Sequence, residues 1–309
     1  MLQQFAKKPL TARLKDTGYL LKHSFTVIGK DEDIKKPTIR MAVYSSIVTT
    51  LIFLSLFFLF SQTLQFLGVI LLIFTILFLI PFGFFYYTRQ KANQSWIVYN
   101  TITGKDISYS DAHLHTKTQK SKLRLIAFIS LLMFLAKSRK REKNGIRAVI
   151  INLFLRFLEE VWDLLENYMV PSIVIEQKSI KETVPKLKSL KENIPATLVG
   201  VFGIDFAGKI LTLLISWIYL LAFLISLGIG YLVALITDAT VITMGGFSFS
   251  WVPVILMLYI VVLIGGIYKK VIESIKIIYF TIFYTSINRP KEIVSSMRGE
   301  LTNYLLMKE

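Results

Sequence analysis

All 36 lysine and arginine residues of this 309-residue chain lie outside two blocks, Met41–Thr88 and Ile210–Tyr268, and the second block holds a single charge, Asp238. The blocks are 48 and 59 residues long. At about 1.5 Å per helical residue, each is too long for one crossing of a hydrocarbon core of about 30 Å and long enough for two. Each is therefore read as a helical hairpin. The hairpin tips carry no Lys or Arg, so every basic residue falls on one side, which the positive-inside rule makes the cytoplasm. The expected fold is an all-α integral membrane protein of the cell (plasma) membrane. Four transmembrane helices form two hairpins, with a helical cytoplasmic region between them and both termini cytoplasmic.

Composition agrees, with 54% hydrophobic and 18% charged residues, an integral-membrane balance rather than that of a soluble domain. The formal charge of +16 follows from segregating basic residues to one face, and no nucleic-acid-binding motif accompanies it, so nucleic acid is not an expected partner. The absence of cysteine removes disulfides, a thiol nucleophile and thiolate-bound zinc. Residues 1–40 carry 9 basic and 4 acidic side chains without an apolar run, so no cleavable signal peptide is expected and the first span inserts itself.

The chain divides into an N-terminal amphipathic segment (1–40), hairpin 1 (41–88), a cytoplasmic region (89–209), hairpin 2 (210–268) and C-terminal helices (269–309). In residues 1–30, Leu10, Leu14, Leu20, Leu21, Phe25 and Ile28 alternate with Lys7, Lys8, Arg13, Lys15 and Lys22. Such a helix lies along the inner leaflet or packs on the protein's own cytoplasmic part. Asp31, Glu32 and Asp33 ahead of Pro37 mark a helix start. Span 1 is read at 42–60 and span 2 at 66–88, joined by a turn at 61–65. Pro81 predicts a kink near Leu77. The rings of Phe82, Phe84, Phe85, Tyr86 and Tyr87 below it suit an interfacial aromatic belt. The functional alternative is a pore constriction at Leu77, Ile80, Pro81 and Phe84.

Between the hairpins, Leu123–Ala136 is too short to span and is read as re-entrant, interfacial or a buried core helix. Ile146–Tyr168 is amphipathic, with Ile150, Leu153, Phe154, Phe157, Val161 and Leu165 on one face and Arg156, Glu159, Glu160, Asp163 and Glu166 elsewhere. Counting both as spans would put Lys137, Arg139, Lys140, Arg141 and Lys143 outside, so the charge rule favours four. Lys178, Lys181, Lys186, Lys188 and Lys191 follow on a basic helix. They either keep that segment solvated or, in the case of Lys178, Lys181, Lys186 and Lys188, contact anionic lipid.

Span 3 is read at 210–236 and span 4 at 250–268, with Asp238 and Gly245-Gly246 in the loop between them. Ala222, Ser226, Gly230 and Ala234 recur every fourth residue as a small-residue ridge for close helix packing. Its partner is span 4, where Gly265 and Gly266 lie, or a neighbouring subunit. Span 4 is expected to continue through Lys269, Lys270, Glu273 and Lys276 to Asn288-Arg289-Pro290. Ile277–Ile287 would then pack on the face from Ile150 to Leu165.

No catalytic or metal-binding pattern emerges. His113 and His115 share a side of a strand but not of a helix, which makes a poor ligand pair. There is no phosphate-binding loop, no HExxH and no nucleophile triad. Asp and Glu are absent from the four spans, against proton-coupled transport. Neither an enzyme nor a cofactor is expected. The stretches Gly18-Tyr-Leu-Leu-Lys-His-Ser-Phe-Thr-Val-Ile-Gly-Lys-Asp31, Gly104-Lys-Asp106 with Ala112, and Trp162 through Tyr168-Met-Val-Pro171-Ser-Ile-Val-Ile-Glu176 resemble an uncharacterised, largely archaeal family of prokaryotic multi-pass membrane proteins. That family is a domain of unknown function, so the resemblance implies membership and no activity. In architecture alone the chain is similar to bestrophin-type channels, with four spans and helices extending below the membrane. The functional expectation is a channel-like homo-oligomeric pore passing anions or small solutes. The alternative is a non-transporting scaffold or lipid-associated regulator whose partner is the bilayer.

Overall fold

The structure is a computed structural model that describes residues 27–60, 63–138, 162–179, 181–183, 216–236, 241–244, 246–296 and 298. It is mostly helical. Asp31 opens the first long helix, its carboxylate accepting the Asp33 N–H at 2.8 Å. A single 3₁₀ turn at Glu32–Ile34 leads into α1 (Lys35–Phe60), with Pro37 in the first turn, where its missing N–H is not needed. After 63–64 come α2 (Gln65–Phe74), a π-helical turn (Thr75–Leu79) and α3 (Ile80–Ile102). At the place where a kink is expected, around Leu77, the helix is π-helical. Pro81 has no N–H to offer the Leu77 carbonyl, and a widened turn is one way a helix absorbs such a loss.

The helices α4 (Tyr109–Thr118), α5 (Lys120–Ser138), α6 (162–176) and α7 (Ser216–Ala234) follow, then β1 (Val241–Met244), β2 (Phe247–Ser250) and α8 (Val252–Asn288). The two strands form an antiparallel ribbon pairing Val241 with Ser250 and Met244 with Phe247. This is a departure from the all-α expectation. The loop around Gly245-Gly246 is a two-residue connection, and Gly246 takes φ of 84°, a conformation that costs glycine least. Four helices are long and apolar enough to cross a membrane: Glu32–Phe60, Gln65–Ile102, Ser216–Ala234 and Val252–Asn288.

The chain separates into two compact units. The apolar unit takes its described residues from Ala42–Ile80 and Asp205–Ile272, and the mixed unit from Met1–Met41, Pro81–Ile204 and Glu273–Glu309.

In the apolar unit, small residues set how closely helices approach. A side chain at Gly68 would strike the Leu59 nitrogen at 2.8 Å and the Ser55 carbonyl at 2.9 Å, so α1 and α2 meet there almost backbone to backbone. Further along, the Tyr44 hydroxyl donates to the Leu79 carbonyl at 2.7 Å. Hydroxyls inside the spans bond their own helix: Ser55 to Leu51 O, Thr75 to Leu71 O and Ser226 to Phe223 O. That keeps polar atoms satisfied away from water.

One position of the ridge on α7, Gly230, meets a neighbour within its own chain. Ser226 and Gly230 are buried, Ala222 and Ala234 half-buried, and a Cβ on Gly230 would lie 2.6 Å from the Ser250 carbonyl just before α8. Gly266 on α8 instead faces the Ser45 hydroxyl of α1, while Gly265 meets nothing within 4 Å. Gly230→Ala should therefore destabilise the protein by about 1–3 kcal/mol, read as a lower thermal midpoint in detergent, and Gly265→Ala should leave that midpoint unchanged.

Candidate functional site

The mixed unit is organised around α3. Its residues Gln90, Lys91, Asn93, Gln94, Ser95 and Asn100 are all buried, although the stretch is polar almost all round. Burying polar groups costs free energy unless they are hydrogen-bonded, and each of these side chains reaches a partner. Gln94 Nε2 lies 3.0 Å from Ile34 O, 3.1 Å from Thr38 Oγ1 and 2.6 Å from Ser274 Oγ, three acceptors that share its two protons, while Gln94 Oε1 has no partner among the described residues. Nε2 thereby ties α3 to the start of α1 and to α8. Ser95 Oγ accepts from Thr281 of α8 at 3.0 Å. The Tyr109 hydroxyl donates to Gln90 Oε1 at 2.9 Å and accepts from Asn93 at 3.2 Å, joining α4 to α3.

Lys91 carries the strongest demand. Its ammonium lies 2.8 Å from Glu166 Oε1, with both side chains nearly sealed from solvent. The second Glu166 oxygen accepts from Ser130 at 2.8 Å, and Ser130 in turn accepts the Trp162 indole N–H at 2.9 Å. Lys276 pairs with Asp163 at 3.0 Å. Thus Asp163 and Glu166, which the sequence places off the apolar stripe, hold lysines from α8 and α3. Around them packs a core of Ala92, Leu123, Ile126, Met169, Val170, Ile173 and Val174, with Trp96, Trp162 and Leu165 at its edge.

That core places Leu123–Ala136 within α5, whose Leu123, Ile126 and Ala127 face inward. Leu125, Phe128, Leu132 and Leu135 face outward at helical spacing, each about half exposed. The C-terminal part of α8 is buried as expected, and its described contacts include residues 168–172 beside Ser95 of α3. The Tyr168 and Tyr284 rings sit 5.0 Å apart and the Tyr284 hydroxyl reaches Ser172 at 3.2 Å. Ile150, Leu153, Phe154, Phe157 and Val161 lie outside the described residues, as do Lys186, Lys188 and residues 1–26.

The remaining sequence candidates divide. Lys178 is bound to Glu176 at 2.7 Å, and Lys181 is exposed. Leu77 points outward, 61% exposed, whereas Phe84 lies 5.3 Å from the Phe134 ring of α5. Ile80 and Pro81 are half-buried. The histidines separate as well. His115 stacks on Trp96 at 3.6 Å with Nε2 3.0 Å from the Val174 carbonyl. A carbonyl only accepts, so Nε2 of His115 carries the proton. Among the described residues no group of three or more His, Asp or Glu could hold a metal.

His113 sits in a cluster that sequence reading missed. Tyr109, His113 and Lys117 recur every fourth residue on α4, so they share one face. The Tyr109 and His113 rings stack at 6.1 Å, and the Arg40 guanidinium of α1 lies over the Tyr109 ring at 4.2 Å. Arg89 of α3 places Nη2 3.0 Å from His113 Nε2. An arginine cannot accept, so Nε2 accepts and the imidazole proton sits on Nδ1. Two buried N–H donors, Arg89 Nε and His113 Nδ1, then find no acceptor among the described residues. Each unmet buried donor costs about 1–3 kcal/mol. Asp111, the carboxylate nearest His113 in sequence, is committed to the cap of α4, where it and Ser108 bond each other's backbone N–H.

No family model, no curated protein and no solved structure matches the chain.

Two predictions follow from these contacts. Breaking the buried pair as Glu166→Gln should cost about 3–5 kcal/mol, because it leaves the Lys91 charge uncompensated. The double variant Lys91→Met, Glu166→Leu should recover much of that loss in thermal unfolding. Burial first, and then the charges of Arg89, Arg40 and Lys117, hold the His113 pKa below its ordinary 6.5. The unfolded chain therefore binds the proton more readily, and this contribution to stability is complete above about pH 6.5 and lost as the pH falls below it. His113→Gln should flatten the decline in thermal midpoint between about pH 6.5 and pH 5.

Proposed function

We propose that the protein is a non-conducting membrane scaffold of the cell membrane that associates with anionic lipid, its four apolar helices arranged as two hairpins and its mixed unit on the cytoplasmic side. The observation that carries this reading is the outward surface of the described spans. Large apolar side chains exposed there include Val43, Ile47, Leu54, Phe57, Ile70, Ile73, Leu221, Leu224, Ile225, Ile260 and Ile264, spread along the length of each span. The hydroxyls of Thr50, Ser55 and Thr75 are bonded to carbonyls of their own helices, and Thr50 also reaches Tyr259. Such a surface is solvated well by lipid tails. The outer face of α5 supports the same reading, since it offers Leu125, Phe128, Leu132 and Leu135 beside the Phe84–Phe134 contact. Phe84 precedes Thr88, the last residue of the uncharged block, by four positions. A helix with such a face suits the headgroup boundary.

A second reading is the homo-oligomeric pore. One observation favours it: the π turn at Thr75–Leu79, a local form enriched at functional sites, presents Leu77 and Phe78 outward, each 61% exposed. In an oligomer such residues would form an apolar constriction. Reconstitution into vesicles separates the two. The scaffold reading expects no halide, phosphate or potassium flux above empty vesicles at any voltage or pH, with purified protein retaining anionic over zwitterionic lipid. Flux abolished by Leu77→Trp would establish the pore instead.

A further inference from the structure

We infer that Arg40, Arg89 and His113, with Lys117 beside them, form a binding site for a phosphate group. The inference deepens the lipid-associated reading, but its core observation stands on the side chains alone. Cations elsewhere in the mixed unit are matched by carboxylates where they are drawn into the packed structure: Lys91 has Glu166, Lys276 has Asp163, Lys36 has Asp33, and Arg289 has Glu292 at 2.9 Å. Arg40, Arg89 and Lys117 have none among the described residues, yet they gather around one imidazole: Arg89 bonds His113, Arg40 covers the Tyr109 ring that stacks on it, and Lys117 follows it by one turn of α4. Concentrated positive charge without a counter-ion is what an anion site looks like before its ligand arrives.

The hydrogen bonds define the ligand further. Arg89 Nη2 uses the one acceptor that His113 has, which leaves Arg89 Nε and His113 Nδ1 as donors with nothing to receive them. The Tyr109 hydroxyl cannot help, because it already donates to Gln90 and accepts from Asn93. Every unmet need in the cluster is for an acceptor. The missing group therefore brings oxygens and negative charge and no donor of its own. Guanidinium groups present a planar fork that matches phosphate oxygens. Three cations exceed what a singly charged carboxylate neutralises, and a phosphate group bearing one to two charges fits better.

Position in the chain indicates where such a group comes from. Arg40 immediately precedes the first uncharged block and Arg89 immediately follows Thr88, its last residue. Both therefore belong at the depth of lipid headgroups if the block crosses the membrane twice. Tyr86 and Tyr87, two and three residues before Arg89, are of the type that populates this boundary. A lipid phosphodiester and free phosphate share the chemistry, and the experiment distinguishes them.

The full chain purified in mild detergent is assayed in two arms. Native mass spectrometry counts retained phosphatidylglycerol, and calorimetric titration measures binding of inorganic phosphate. Arg89→Gln and Arg40→Gln should each weaken the ligand by roughly tenfold or more, as expected for loss of one charge-assisted contact. Lys105→Gln, which removes an exposed charge elsewhere, should change nothing. Loss confined to the lipid arm identifies a lipid phosphodiester, loss confined to the phosphate arm identifies a free anion, and either supports the site. Wild-type protein that binds neither would overturn it. So would a folded Arg40→Gln that retains both, or a Lys105→Gln that loses as much. Arg40 is exposed, so its variant is expected to fold even if Arg89→Gln does not. The phosphate arm needs no membrane, so its failure is separable from a flux result that overturns the scaffold reading.

Discussion

The pairing of Lys91 with Glu166 sets the terms for the mixed unit. A lysine ammonium cannot be buried alone, and the carboxylate that holds it must itself be positioned. Ser130 and Trp162 do that by bonding its other oxygen through one hydroxyl. Those four residues come from α3, α5 and α6, so a single charge balance aligns three helices. Gln94 does the same for α3, α1 and α8 through neutral donors and acceptors. Packing of Ala92, Ile126 and Ile173 then closes the space between them. Buried polar networks of this kind specify a unique arrangement because a slipped helix leaves several groups unmet at once.

The apolar unit obeys a different rule. It has almost no polar atoms to match, and its contacts are fixed by where side chains are missing. Gly68 against Ser55 and Gly230 against Ser250 bring backbones together, and a methyl group at either place would force them apart. Specificity in lipid thus comes from shape, where specificity in the mixed unit comes from polar satisfaction. The cluster of Arg40, Arg89 and His113 belongs with neither. It is electrostatically unbalanced, which is costly for a fold and useful for a ligand.

Several features were readable from residue order because their causes are local. The Asp31 cap and Pro37 act within one turn. Pro81 acts within four residues of itself, where the helix is π-helical, a form that was not foreseen. Exclusion of charge marks apolar helices by length and composition. Strands β1 and β2 were missed because a short loop between spans was read by its glycines alone, while the alternation in Phe247–Ser250 was too brief to register. The polar positions of α3 were illegible for a deeper reason. A helix polar on every side reads as solvent-exposed, and the partners that bury it, Ile34, Ser274 and Glu166, lie 60, 180 and 75 residues away from theirs.

By itself the sequence determined that four helices are long and apolar enough for a membrane, and where each begins to carry charge. Both are sums over neighbouring residues, and no fold is needed to take them. Tertiary structure decided which polar side chains are paired and which are left wanting. Arg40, Arg89 and His113 are unremarkable at their separate places in the chain. Only the packing of α1, α3 and α4 shows that Arg89 has taken the lone acceptor of His113, because a hydrogen bond is a matter of distance and direction, which order along the chain does not contain.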